Sequence, residues 1–243
     1  MRAIFRKEII QFFSSLTGYL SVGVFLLVLG LFNWVFPETA IPDFGYAQMD
    51  GFFGIAPYVL IFLIPAICMR SFAEERQSGT LELLITKPLT ETDIILGKLF
   101  AAFVLVLLSI LPTLTYVVSL WLLATPTGNI DLGGIAGSYL GLLLLSAVFC
   151  SIGIFASSLT QNQISAYILG VFICFFLFIA FEYLAQLSPF IGTYDYAVEQ
   201  FGLQAHFEAM GRGVMDSRDL IHFLCTGAFF VFLTRLNLQS RTW

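Results

Sequence analysis

Residues 132–181, LGGIAGSYLGLLLLSAVFCSIGIFASSLTQNQISAYILGVFICFFLFIAF, run for 50 residues without one Asp, Glu, Lys or Arg. A single straight helix of that length would reach about 75 Å, more than twice the roughly 30 Å hydrocarbon thickness of a bilayer. The chain therefore has to fold back on itself. Ser157-Ser158-Leu159-Thr160-Gln161-Asn162-Gln163 is its polar turning point, which predicts two apolar helices, over 133–156 and 164–184.

The rest of the composition agrees with a lipid environment. Hydrophobic residues make up 58% of the chain and charged residues 11%, where a soluble domain carries roughly a quarter charged. Mean hydropathy is +0.91. These values exclude a disordered chain, a collagen-like fibre and a disulfide-stapled secreted module. The net charge of −5 implies no nucleic-acid patch. Cys68, Cys150, Cys174 and Cys225 lie in separate apolar runs without a C-x-x-C pair, and read as reduced packing residues.

Working outward, further charge-free stretches predict spans over 16–36, 52–69 and 99–124, with a weaker last one over 219–236. Pro112 predicts a kink in the third, and Pro126-Thr127-Gly128-Asn129 ends it. The expected fold class is all-α: a polytopic membrane protein of six spans, forming a single domain over 1–243. Nine of the 11 basic residues (Arg2, Arg6, Lys7, Arg70, Arg76, Lys87, Lys98, Arg235 and Arg241) then share one side. The excess of Lys and Arg predicts that this side, with both termini, is cytoplasmic. The first apolar run is too long for a cleaved signal and reads as a signal anchor.

Catalytic motifs are missing: there is no H-E-x-x-H and no G-x-S-x-G, and neither His206 nor His222 has a ligand at helical spacing. No metal site is expected, and a lone interfacial histidine reads as a hydrogen-bonding residue. Glu182, the one acid inside an apolar run, is expected to reach water. Leu96-Gly97-Lys98-Leu99 ends like a phosphate-binding loop, but Thr92 replaces the first glycine and Leu99 the metal-binding hydroxyl. The chain is therefore not expected to be an enzyme, or to bind a cofactor itself.

Polar residues gather instead in the link 70–89, RSFAEERQSGTLELLITKPL. Phe72, Glu75 and Arg76 fall on one side of a helix, and Leu81, Leu84 and Ile85 on another. Gly79 interrupts the first helix and Pro88 limits the second, while Thr90-Glu91-Thr92-Asp93 offers a cap for a helix running into the third span. The link reads as a short charged helix lying at the membrane face.

Phe72-Ala73-Glu74-Glu75-Arg76, Gly79-Thr80-Leu81-Glu82-Leu83-Leu84, Pro88 and Ile94-Ile95-Leu96-Gly97-Lys98, in that order, resemble the signature of ABC-2-type permeases, the membrane halves of ATP-binding cassette exporters. Residues 209–220 resemble that family's outer segment leading to its sixth span. Among such permeases the chain most resembles the gliding-motility-associated subunits of the GldF type, through 1–30, 157–163 and 212–219. The permease that serves nitrous oxide reductase maturation is a related type, for which copper handling would predict Met or His clusters missing here.

The resemblance implies a multi-pass subunit of a bacterial inner membrane and a separate cytoplasmic ABC ATPase, GldA-like, which holds the ATP and magnesium. That ATPase would touch Arg70, Phe72, Glu74, Glu75, Arg76, Gly79, Thr80 and Glu82, with Pro88, Gly97 and Lys98 supporting the link. A second membrane subunit with a large periplasmic region, GldG-like, would complete a heteromer in contact with membrane lipid. Its work would be export, or conformational drive of a partner with nothing transported. Gly133, Gly137 and Gly141 form a small-residue run for close helix packing, within the bundle or between subunits. The outer segment 188–218 would cap the mouth, with Phe190, Tyr194, Tyr196, Phe201 and Phe207 at headgroup depth. Arg212, Asp216, Arg218 and Asp219 are expected to form local ion pairs there.

Overall fold

A computed structural model describes residues 1–37, 40–41, 46–85, 90–187, 195–213 and 216–240, and every regular element among them is helical. The basic start folds as α1 (Arg2–Phe13), an element the span pattern did not reveal. At Ser14-Ser15 the chain bends by 69° into α2 (Leu16–Trp34). The Ser15 hydroxyl accepts from the Gly18 amide, satisfying a free donor at the start of α2.

The second span is α3 (Asp50–Cys68), and the helix expected in the link follows it directly. Met69 stays in right-handed helical geometry, so α4 (Arg70–Gln77) carries on from α3 as a near-continuous rod of 28 residues. The break falls at Gly79, whose φ of +69° is a conformation that side chains with a Cβ rarely adopt, and α5 (Thr80–Ile85) follows. Pro88 and Lys87 lie outside the described residues.

The third span starts at α6 (Glu91–Ile110), capped by the Thr90 hydroxyl, which accepts from the Asp93 amide. Pro112 sits in a 3-10 turn (Leu111–Thr113), as its missing N–H requires, before α7 (Leu114–Leu123). The charge-free stretch divides where polarity predicted. The fourth span is α8 (Leu132–Leu159), and α9 (Gln163–Phe175) begins the fifth, capped by Asn162. A π-helical turn (Phe176–Ala180) interrupts that span before α10 (Phe181–Ala185), which periodicity did not foretell. Two short helices, α11 (Asp195–Glu199) and α12 (Leu203–Gly211), lead to the sixth span, α13 (Ser217–Gln239).

Among the described residues five helical segments are long and apolar enough to cross a membrane, and six if the bent α1–α2 pair is counted as one span. The centre is α8, which packs on α3, α6, α9, α12 and α13. Of its apolar core 72% is buried, against 28% for the fifth span and 22% for the sixth. Those two outer spans therefore present most of their apolar surface to lipid, as a chain in a bilayer can without penalty.

Candidate functional site

The charged end of the bundle is organised by Lys98, about two helical turns into α6. Its side chain is wholly buried, and a buried ammonium is tolerable only if its charge and all three donors are matched. Nζ lies 2.6 Å from the Ser71 carbonyl, 2.7 Å from Glu8 Oε1 and 3.0 Å from Glu75 Oε1. The Phe72 ring adds a cation–π contact at 5.0 Å.

Glu75 Oε1 also accepts from Lys7 Nζ at 2.6 Å, and Gln11 Nε2 donates to Glu74 at 3.3 Å. Burial opposes the charge on Lys7, yet its hydrogen bond to Glu75 and the nearby acids outweigh that and raise its pKa above the ordinary lysine value. Through these contacts α1, α4 and α6 are held together. Gly97 makes the approach possible, since a Cβ there would meet Ile4 of α1 at 3.2 Å.

A second joint lies where α3 passes into α4. The Ser157 hydroxyl of α8 accepts from the Phe72 and Ala73 amides at 3.0 and 3.1 Å, and donates to the Met69 carbonyl at 3.0 Å. The neighbouring Ser158 binds Asn237 of α13 through both its carbonyl, at 2.7 Å, and its hydroxyl, at 2.9 Å. Adjacent serines thus hold two different helices.

This geometry sorts the residues expected to meet an ATPase. Phe72, Glu75 and Arg76 are buried within the chain and Glu74 partly so, because α1 and Lys98 cover that face. Their side chains are engaged within the chain rather than turned out from it. Arg70 is partly buried and turns toward α1. Gln77, Ser78, Gly79, Thr80 and Glu82 are exposed at the tip of the rod.

The opposite end is built differently. There α12 lies across the start of α8, and a Cβ on Gly137 would overlap the Met210 carbonyl oxygen. One on Gly141 would press the Phe207 ring at 3.2 Å. This packing is internal to the chain. Gly133 is exposed, and a methyl there would meet only Asp131 of its own turn, although its backbone lies beside Gly213; Gly134 lies against Gly211.

At this end the described residues pair differently from the expected set. Asp219 pairs with buried His206, Oδ1 to Nδ1 at 2.6 Å, while Asp216 caps α13 by accepting from the Arg218 amide. Among the described residues neither Arg212 nor Arg218 joins an ion pair. His206 Nε2 lies 2.9 Å from the Gln200 carbonyl, so both ring nitrogens have a polar partner. His222 stacks on that ring with centroids 4.1 Å apart. Glu182 is partly exposed, and Phe190 and Tyr194 lie outside the described residues.

Among the described residues no group of three or more His, Cys, Asp or Glu is placed to hold a metal. The fold defines a polytopic membrane protein with a helical lever at one end and a helical cap at the other. A sequence profile described as ABC-2 family transporter protein matches residues 2–224, so the chain belongs to that family. It is 26% identical over 141 residues, 58% of this chain, to the probable multidrug ABC transporter permease YbhR of Escherichia coli strain K12. The same relation holds to YbhR of Escherichia coli O157:H7. The matched stretch spans 35% of the length of those relatives.

Proposed function

We propose that this chain is the membrane subunit of an ATP-binding cassette complex, with a separate ATPase pressing on the exposed tip formed by Gln77 to Glu82. The observation that carries this reading is the unbroken course of α4 into α3. A push on the tip enters a membrane-crossing helix directly, without a flexible joint to absorb it. Lys98, Glu8 and Lys7 tie the same rod to α1 and α6, so that the three move together. Family membership supports the division of labour, in which ATP and magnesium belong to the partner. The concentration of Lys and Arg at this end supports placing it on the cytoplasmic side, in a bacterial inner membrane.

The finer assignment is to gliding-motility complexes of the GldF type, with a GldA-like ATPase and a GldG-like second membrane subunit, and it rests on the sequence resemblance. The printed name of the relative YbhR, a probable multidrug permease, supports drugs as an alternative cargo. A purely mechanical role is favoured by the packed interior, where α8 fills the centre of the chain.

The test is capture of the chain in mild detergent with mass spectrometry of what accompanies it. A cassette ATPase should copurify with the natural sequence, and Glu82→Lys should cut its recovery severalfold while leaving the chain's melting temperature unchanged. Glu75 is the wrong probe, because Lys98 depends on it. Recovery of no ATPase under conditions that preserve other cassette complexes, or undiminished capture by Glu82→Lys, would overturn the docking assignment.

A further inference from the structure

We propose that the groove where α13 lies across α6 and α8 binds one phospholipid whose head carries a primary ammonium beside its phosphate. One acyl chain fills the groove and both head charges sit at its mouth. The groove has a volume of about 430 Å³, within the roughly 300–1,000 Å³ of ordinary ligand sites. Its walls are apolar, with Leu96 of α6, Leu144 and Val148 of α8, and Phe223 of α13. Ala147, Gly227 and Ala228 line it too, and their short or missing side chains leave the space unfilled. Its length fits one leaflet. From Arg235 to Phe223 the α13 wall runs 12 positions, about 18 Å of rise, where half of the hydrocarbon layer is about 15 Å. Leu224 and Phe232, on the same wall, are exposed, so the groove is open to the bilayer along its side.

The head is specified by Arg235 and Glu91. One stands near the end of α13 and the other at the start of α6, which puts both at headgroup depth. Arg235 Nε and Glu91 Oε2 are 3.8 Å apart, too far for a hydrogen bond. Among the described residues neither side chain makes one, and they remain 49% and 30% exposed. A cation and an anion side by side, each only half met, complement a head with the same two charges in reverse order. The guanidinium fork takes the phosphate, and the carboxylate takes the ammonium. A head with a phosphate alone would bring its charge against Glu91, and a choline nitrogen has no hydrogen to donate to it. An apolar helix of another chain, laid in the groove, would take this loose pair out of water, which is costly.

The site uses no residue of the Gln77 to Glu82 tip, so it stands or falls separately from the ATPase docking assignment. The full chain, purified in mild detergent, is equilibrated with phosphatidylethanolamine, phosphatidylcholine or phosphatidylglycerol of identical acyl chains. Native mass spectrometry counts the lipid retained. One phosphatidylethanolamine per chain should be held about fivefold better than either of the others, the upper size of one exposed ion pair. Glu91→Gln should bring its retention down to that of phosphatidylcholine, and Arg235→Gln should weaken all three. Ala228→Phe, which fills the groove, should lower all three without changing their ratio. Equal retention of phosphatidylethanolamine and phosphatidylcholine by the natural sequence overturns the proposal whether or not any variant folds. An unchanged ratio in Glu91→Gln, or undiminished retention in Ala228→Phe, does so as well. A lipid-free dimer would mean that a second copy of the chain covers the groove instead.

Discussion

The two ends of this bundle are joined by opposite means. At one, α1, α4 and α6 meet through long charged side chains converging on Lys98 and Glu75. At the other, α12 settles on α8 where Gly137 and Gly141 leave no side chain in the way, with a single buried His206–Asp219 pair beside it. A joint of flexible charged arms can exchange partners without moving the backbone far, as Glu75 Oε1, shared between Lys7 and Lys98, illustrates. A joint of backbone on backbone has one fit. The charged end is therefore held by side chains that can rearrange, and the cap end by backbone contacts that leave no such freedom.

The comparison is broken most severely at Lys98. Lys98→Met should destabilise the chain by about 3–5 kcal/mol, the usual cost of removing one member of a buried ionic group. A denaturation series on the single and the Lys98→Met/Glu75→Gln double variant checks it, and the double should cost less than the sum of its parts. Two independent and additive losses would mean that the charges act separately.

His206→Phe is the corresponding break at the cap. It leaves Asp219 buried without its partner, and a loss of about 1.5–3 kcal/mol is expected. Proteolysis of the 195–213 segment should quicken while cleavage near 77–80 stays unchanged. Equal quickening at both ends would deny that the two joints are separate.

A finer contrast lies within the glycine run. Gly137→Ala should cost about 1–3 kcal/mol by forcing α12 off α8, while Gly133→Ala should stay within about 0.5 kcal/mol. Thermal melts of the two variants in one detergent decide it, and a neutral Gly137→Ala would show that the cap can yield after all.

Much of the architecture could be read from local pattern. Charge-free lengths placed the apolar spans, Pro112 an interruption in the third of them, where a 3-10 turn stands, and the 157–163 polar patch the reversal between α8 and α9. Gly79 marked the end of the lever correctly. What local pattern could not reveal is which side of 70–77 faces inward. That side is decided by Glu8, Lys7 and Ser157, which lie far along the chain, and no periodicity within eight residues reports a neighbour so distant. Lys7 and Glu8 read only as charges flanking a span, and Ser157 only as part of a turn. His206 looked like a lone interfacial histidine, because its partner Asp219 belongs to the next helix and seemed to belong with the arginines. The π-helical turn in the fifth span arises in an unremarkable apolar run, FLFIA, with no residue type to announce it.

The placement of Gly137 and Ser157 on one helix makes α8 a ruler. They are separated by 20 positions, about 30 Å of rise and roughly 200° of rotation, so they address nearly opposite sides of the bundle. Inserting a single residue between them would turn one relative to the other by about 100° and lengthen the rod by about 1.5 Å. Ser157 would then swing away from the Phe72 and Ala73 amides, and Ser158 from Asn237, even though every apolar residue survived. The number of residues in this helix is thus as much a part of its information as their identity. The same insertion in the exposed loop near Thr127 would leave both ends in phase.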